Sequence, residues 1–398
     1  MTPWVRLLVA AVVLVHGLIH LLGAAKGLGW LTVSQLKEPI STSGGWSWLA
    51  AAVVVGLAGV LMGVGATWWG AVAAIAAVVS QLVISTSWSD AKAGTAVNVI
   101  LLIAAVYGFA AHGPTSYDAE WHSKASRALT MAASPHGVVS EADLASLPAP
   151  LADYLRGAGA VGAPRVTSFY ATFHGRIRSG PDKPWMSFTG KQLNTYGASP
   201  QRLFLMKATV FGVPIEVLHV FADMKATMRG KILSLVPIVN AAGTEMDRGE
   251  TVTLFNDLAV LSPAAFIDSP VTWSSSAAQS VRGNYTIGPQ TVAATLAFSS
   301  THELIDFVSD DRLRAAANGS SFTRQRWSTP LVAYRNFGPR RVAVDGQGRW
   351  HAPAPEGEFA YLEFKLDDII YNPTHPGGDR RPPARGELPE MSARIAAG

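Results

Sequence analysis

The first 112 residues hold four long apolar runs and only six acidic or basic side chains: Arg6, Lys26, Lys37, Glu38, Asp90 and Lys92. A hydrocarbon layer about 30 Å thick takes roughly 20 helical residues. Trp4–Ala25, Trp46–Ala66 and Trp68–Trp88 reach that length, and Thr95–Ala111 falls slightly short. The first run is longer than the core of a secretory signal and others follow it, so it reads as a retained helix. Trp4, Trp30, Trp46, Trp48, Trp68, Trp69 and Trp88 stand at the ends of the runs, where amphipathic rings favour the headgroup layer. Abundant Gly and Ala allow close helix approach. Residues 1–112 therefore predict a four-span transmembrane helical bundle. The flanking Lys and Arg residues divide evenly and set no orientation.

His16 and His20 lie four apart and share a helix face. Ionisable groups at membrane depth are expensive, which raises metal, haem or quinone binding as a reading. No other span offers a partner histidine. Hydrogen bonding to Ser80, Gln81 or Asn98 inside the bundle is the favoured reading.

Gly113-Pro114 breaks the last run and opens a helical linker, 113–164, in which Ser140 can cap a turn starting at Glu141 and Pro150–Gly157 reads as a short helix. From Arg165 the apolar period becomes two. Val166–Ile177, Trp185–Tyr196, Gln201–Phe211 and Ile215–Met228 read as strands, as do Ala278–Ile287, Thr291–Phe298, Glu303–Ser309, Ser321–Trp327, Leu331–Phe337 and Gly357–Tyr371. Between them Lys225–Leu261 runs from a strand edge, through an apolar turn closed by Pro237, into an acidic helix, Thr244–Leu261. Val252, Phe255, Leu258 and Ala259 share one face of that helix. The prediction for 165–372 is an α+β domain, an antiparallel β half-barrel covered by this helix. After Pro373 the Gly, Pro and Arg content predicts a disordered tail, 373–398.

Composition removes several functions. A net charge of +4 without aromatic-interleaved basic runs gives no nucleic-acid footprint. The absence of cysteine removes disulfides, a thiol nucleophile and Cys-ligated metals. No hydrolase elbow, zinc-protease, phosphate-loop or dinucleotide motif occurs, and neither a cofactor nor a metal is implied. Phe169, Phe173, Phe188, Phe204, Met206, Phe211, Phe221, Met224 and Met228 supply an apolar sheet face. Of these Phe204, Met206, Phe221, Met224 and Met228, with Phe255 from the helix, are the candidate lining of a greasy pocket.

Glu245, Asp247 and Glu250, beside Arg248, could do acid–base or divalent-cation work. Acidic residues in a first helical turn also complement the helix dipole, which is the favoured reading. His174, His219 and His302 are isolated on candidate strands. Arg324 and Arg326 beside Trp327 could meet an anionic head group or form a solvated face.

Leu14–Gly23 (LVHGLIHLLG) with Trp88–Gly94, and Gly230–Glu250 (GKILSLVPIVNAAGTEMDRGE) with Phe359–Asn372, resemble an uncharacterised bacterial membrane-protein family, known only as a domain of unknown function, that carries a multi-span N-terminal anchor. The resemblance implies an integral protein of a bacterial cell membrane and brings no reaction with it. The strand layout is also similar to the half-barrels of periplasmic lipoprotein carriers, which implies an extracytoplasmic β domain holding a lipid or other apolar ligand. The rivals are a membrane-associated enzyme using Glu245, Asp247 and Glu250, and an interaction platform for another membrane protein. A purely apolar pocket favours binding, and carboxylates meeting a histidine on the pocket floor favour chemistry.

Overall fold

A computed structural model describes residues 3–316 and 318–378. The apolar half is helical: α1 (Pro3–Gly27), α2 (Thr42–Val64), α3 (Trp69–Ser85), the single turn α4 (Trp88–Ala91) and α5 (Gly94–His112). Three helices, starting at Trp4, Thr42 and Gly94, are long and apolar enough to cross a membrane. This corrects the four-span expectation. The third run folds into 17 residues, about 25 Å at the helical rise, which falls short of a full hydrocarbon layer. Close helix approach depends on glycine. A Cβ on Gly27 would meet Gly45 at 2.6 Å, and one on Gly70 would meet Gly108 at 3.1 Å. His16 and His20 are buried and bonded within the bundle. His16 Nε2 lies 3.2 Å from both Ser80 Oγ and Asn98 Oδ1, and His20 Nε2 lies 2.9 Å from Ser80 Oγ.

After α5 come α6 (Tyr117–Met131), α7 (Glu141–Leu144) and α8 (Ala149–Gly157). Ser140 caps α7 in a capping box with Asp143. The remainder is mainly antiparallel strand. β1 (Ser168–Ile177), β2 (Met186–Thr195), β3 (Gln201–Val210), β4 (Val213–Ala222), β5 (Lys225–Ile232) and β6 (Val236–Ala242) form a meander. Then follow α9 (Thr244–Leu261), a 3-10 turn (Pro263–Asp268), β7 (Val271–Ala277), β8 (Ser280–Ile287), β9 (Gln290–Phe298) and β10 (Leu304–Ser309). The short β11 (Leu313–Ala315), β12 (Phe322–Arg324) and β13 (Arg326–Ser328) lead to β14 (Leu331–Phe337), β15 (Arg340–His351) and β16 (Glu358–Tyr371). The large sheet is open, with order β6-β5-β4-β3-β2-β1-β16-β15-β13-β10-β9-β8-β7 and β14 paired to β15.

Several strand expectations need correction. Ile215–Met228 is a hairpin, because Asp223 and Met224 both take positive φ and turn the chain tightly. Ser321–Trp327 is split between β12, which pairs only with β11, and β13 of the large sheet. Lys225–Leu261 holds two strands before its helix, and Pro237 sits in β6, an edge strand that tolerates a missing N–H. β7 and β15 escape a search for alternating apolar residues because Ser, Gly, Arg and Asp break the pattern. The expected tail is described only to residue 378, and 379–398 lie outside the described residues.

Two packing layers follow. On one face of the sheet α6 lays Tyr117, Trp121, Ala125 and Ala128 on Leu193, Leu203, Leu205, Leu218 and Val220. Trp121 Nε1 donates to Leu203 O at 3.0 Å. On the other face lies α9, which is buried on nearly every side rather than along one stripe. Its last carbonyls, which have no partners within the helix, accept from tyrosines: Tyr154 Oη to Ala259 O at 2.7 Å and Tyr371 Oη to Leu261 O at 2.6 Å. Trp121→Ala should remove about 3–5 kcal/mol of stability through the cavity it leaves. Hydrogen exchange of the detergent-solubilised chain should then show α6 and the Leu203 segment losing protection together.

Candidate functional site

Along β2 and β3 the inward positions keep one parity: Phe188, Gly190, Gln192 and Asn194 on one strand, Arg202, Phe204, Met206 and Ala208 on the next. Ile215, Val217 and His219 continue this surface on β4. Of these, all but Gly190 and Asn194 join Phe173, Met228, Ile238 and Phe364 in the walls of a cavity of about 910 Å³. Its floor is one face of α9, carrying Met246, Gly249, Glu250, Thr253, Asn256, Asp257 and Val260.

The helix thus presents its polar face to the cavity. Its apolar face goes elsewhere: Phe255 packs against Phe266, Trp273, Tyr285 and Phe307 in an aromatic core. Of the candidate lining residues, Phe204, Met206 and Met228 border the cavity and Phe221, Met224 and Phe255 do not. Phe221 is buried core, and Met224 occupies the β4–β5 turn against Gly288. Phe211 is 90% exposed at the β3–β4 turn and lines nothing.

The acidic trio is also dispersed. Glu245 is exposed at the cavity border. Asp247 faces away from the cavity, accepting from Ala226 N at 2.7 Å and Lys225 Nζ at 3.2 Å. Glu250 alone enters the interior. Arg248 pairs with Asp311 at 2.6 Å, as does Arg324 at 2.5 Å, and Arg326 pairs with Asp310 at 2.8 Å. His174 and His302 lie at the surface beside Asp367 and Asp153. No cluster that could hold a metal ion occurs among the described residues.

The floor holds an ionic group that motif reading missed. Buried Arg202 donates Nε to Asp257 Oδ2 at 2.8 Å and Nη1 to Glu250 Oε2 at 3.1 Å. Gln192 Nε2 and Asn194 Nδ2 also donate to Asp257 Oδ2, at 2.7 and 2.9 Å. His219 Nδ1 lies 3.4 Å from Glu250 Oε1. Strand parity was the available signal, since Gln192, Asn194 and Arg202 fall in phase with Phe188 and Phe204. Burial pushes Glu250 up, but the Arg202 charge and the His219 contact outweigh it and hold the carboxyl far below its ordinary range. At Asp257 burial wins over Arg202 and Asn194, and the carboxyl is raised.

A second wall is polar and less satisfied. Asn256 Oδ1, Arg312 Nε, Gln325 Oε1, Trp327 Nε1 and Thr329 Oγ1 are buried, make no hydrogen bond, and belong to cavity-lining residues. Arg312 stacks over Trp327 at 4.8 Å and donates Nη1 to Gly249 O at 2.7 Å. No carboxylate pairs with it among the described residues.

Residues 137–364 match the model of a family of unknown function, DUF6544. The chain belongs to that family. The match covers β1–β15, the first half of β16, α9 and the cavity-lining residues, and begins after the apolar helices and α6. No curated protein matches. Solved structures similar to the chain include a domain assigned to an outer membrane lipoprotein-sorting protein from Vibrio parahaemolyticus, 11% identical, covering 51% of this chain and 85% of that one with a TM-score of 0.29. A DUF1329 family protein from Desulfovibrio piger is 10% identical and covers 56% and 92% at 0.32. LprF from Mycobacterium bovis is 12% identical and covers 58% and 95% at 0.19.

Two outcomes test the floor. Arg202→Met leaves two buried carboxylates without their cation and should cost about 3–5 kcal/mol, read from denaturant unfolding. Glu250, lowered in the fold relative to about 4.3 unfolded, stabilises fully above the unfolded value, and that contribution is lost as the pH falls below it. Asp257, raised, works in the opposite sense. Glu250→Gln should therefore flatten the acid side of the stability profile, measured by unfolding midpoints between neutral and strongly acidic buffer.

Proposed function

We propose that this protein is a membrane-anchored binding protein whose cavity holds one amphiphile, its apolar chain along β1–β5 and its polar end against the Asn256, Arg312, Gln325, Trp327 and Thr329 wall. The carrying observation is the cavity itself: about 910 Å³, within the range of small-molecule sites, apolar on one side and edged on the other by buried polar atoms without protein partners. Unpaired buried groups are costly, and a ligand carrying both acceptors and donors would satisfy them. An anionic or carbonyl-bearing head suits Arg312, whose Nε has no protein partner while its Nη1 donates to Gly249 O. A lipid or lipid-like molecule meets both demands, and the apolar helices hold the chain where such molecules are abundant. In this reading the sheet acts as a half-barrel covered by α9, and residues 165–372 form the binding unit.

A second reading, chemistry at Glu250, draws on the His219 contact on the cavity floor. It is the weaker one. Glu250 already serves Arg202, and a carboxylate held so acidic is a poor general base at neutral pH.

A phospholipid with a photoactivatable acyl chain, incorporated in vesicles with the full-length chain, tests the proposal. Adducts on Met206, Met228 or Phe204 are expected in addition to those on α1, α2 and α5. Met206→Arg should abolish the cavity adducts and spare those on the helices. Adducts confined to the apolar helices would reject lipid binding in the cavity.

A further inference from the structure

The two hairpin ends nearest the sheet's β6 edge are apolar and exposed. At the β3–β4 turn Phe211 is 90% exposed with φ 47°, a conformation that costs a bulky residue energy. At the β5–β6 turn and the start of β6, Leu233, Leu235, Val236 and Ile238 are 41, 45, 54 and 37% exposed. The two turns are neighbours, since Leu233 N donates to Pro214 O at 2.9 Å. Isolated exposed apolar residues need no explanation, but a contiguous patch does. Another hairpin turn at this end of the sheet, between β1 and β2, instead carries Arg178, Asp182 and Lys183.

The chain's own helices indicate what lies against this patch. Tyr117 follows the end of α5 by five residues. Its ring is covered by Arg229 at 5.2 Å and Lys231 at 4.5 Å, the last basic residues of β5 before the turn. Glu216, paired in register with Lys207 and Lys231, is within electrostatic reach of the Tyr107 hydroxyl. Tyr107 lies inside α5, about 7.5 Å from its C-terminal end at the helical rise. The Lys207–Glu216–Lys231 row therefore sits beside the last turns of an apolar helix, and the turns continue beyond that row. This arrangement puts cations at headgroup level and apolar side chains below them, the order in which side chains partition into a bilayer interface.

We propose that the β3–β4 and β5–β6 turns insert into the leaflet from which α5 emerges, seating the sheet edge on the bilayer surface. Ile238 also borders the cavity, so the inserted turns set the cavity's rim at the acyl-chain level. The seating holds whatever the cavity contains.

The chain has no cysteine, so single cysteines can be placed at will. Phe211→Cys, Val236→Cys, Asp182→Cys and Ala198→Cys are labelled with an environment-sensitive dye in the full-length protein, reconstituted in phosphatidylcholine–phosphatidylglycerol vesicles with or without brominated acyl chains. Labels at 211 and 236 should shift to the blue and lose most of their emission to bromine. Labels at 182 and 198 should do neither. Labels at 211 and 236 that respond only to an aqueous quencher would overturn the proposal. A blue shift without loss to bromine would also overturn it, placing the turns against a second copy of the chain.

Discussion

Arg202 is the one cation on which the interior of the β domain depends. Its guanidinium bridges Glu250 and Asp257, residues two turns apart on α9, to strand β3. A buried ion pair gains little net free energy, because desolvation consumes most of the attraction. What it supplies is position. With both carboxylates committed to one guanidinium, and with Gln192 and Asn194 completing the bonds of Asp257, α9 has one rotation and one height above the sheet.

That rotation divides the interior. The apolar side of α9 closes an aromatic core around Phe255, and the polar side is left as the floor of the cavity. A helix turned the other way would bury Glu250 and Asp257 among phenylalanines without partners, at several kcal/mol each. The cavity is thus a consequence of how the helix's polar face is satisfied. Apolar side chains from β1–β4 line the opposite side, and the tyrosine bonds at the helix C-terminus hold its far end.

Much of the layout is legible in residue order. The limits of the acidic helix, Thr244 and Leu261, match those read from its apolar spacing. The polar groups of the bundle reach the partners that helix spacing offers His16 and His20. Other features were hidden. Asp223-Met224 carries neither Gly nor Asn, and a lone Asp is a weak mark of the turn that splits β4 from β5. Phe221 and Phe255 are as apolar as Phe204, and hydrophobicity alone does not separate core from cavity wall. Glu245, Asp247 and Glu250 look like one cluster in the chain, but helical rotation sends each to a different environment.

The sequence by itself determined the division between an apolar helical half and an antiparallel β half, because both periods are written locally in the alternation of side chains. The absence of cysteine also removed thiol and disulfide chemistry. Only the tertiary structure decided that Arg202 joins two carboxylates from α9, that the cavity has a polar wall, and that two exposed apolar turns are neighbours at one end of the sheet. Those facts depend on which face meets which neighbour, and pairing between residues tens of positions apart is set by packing rather than by any local pattern.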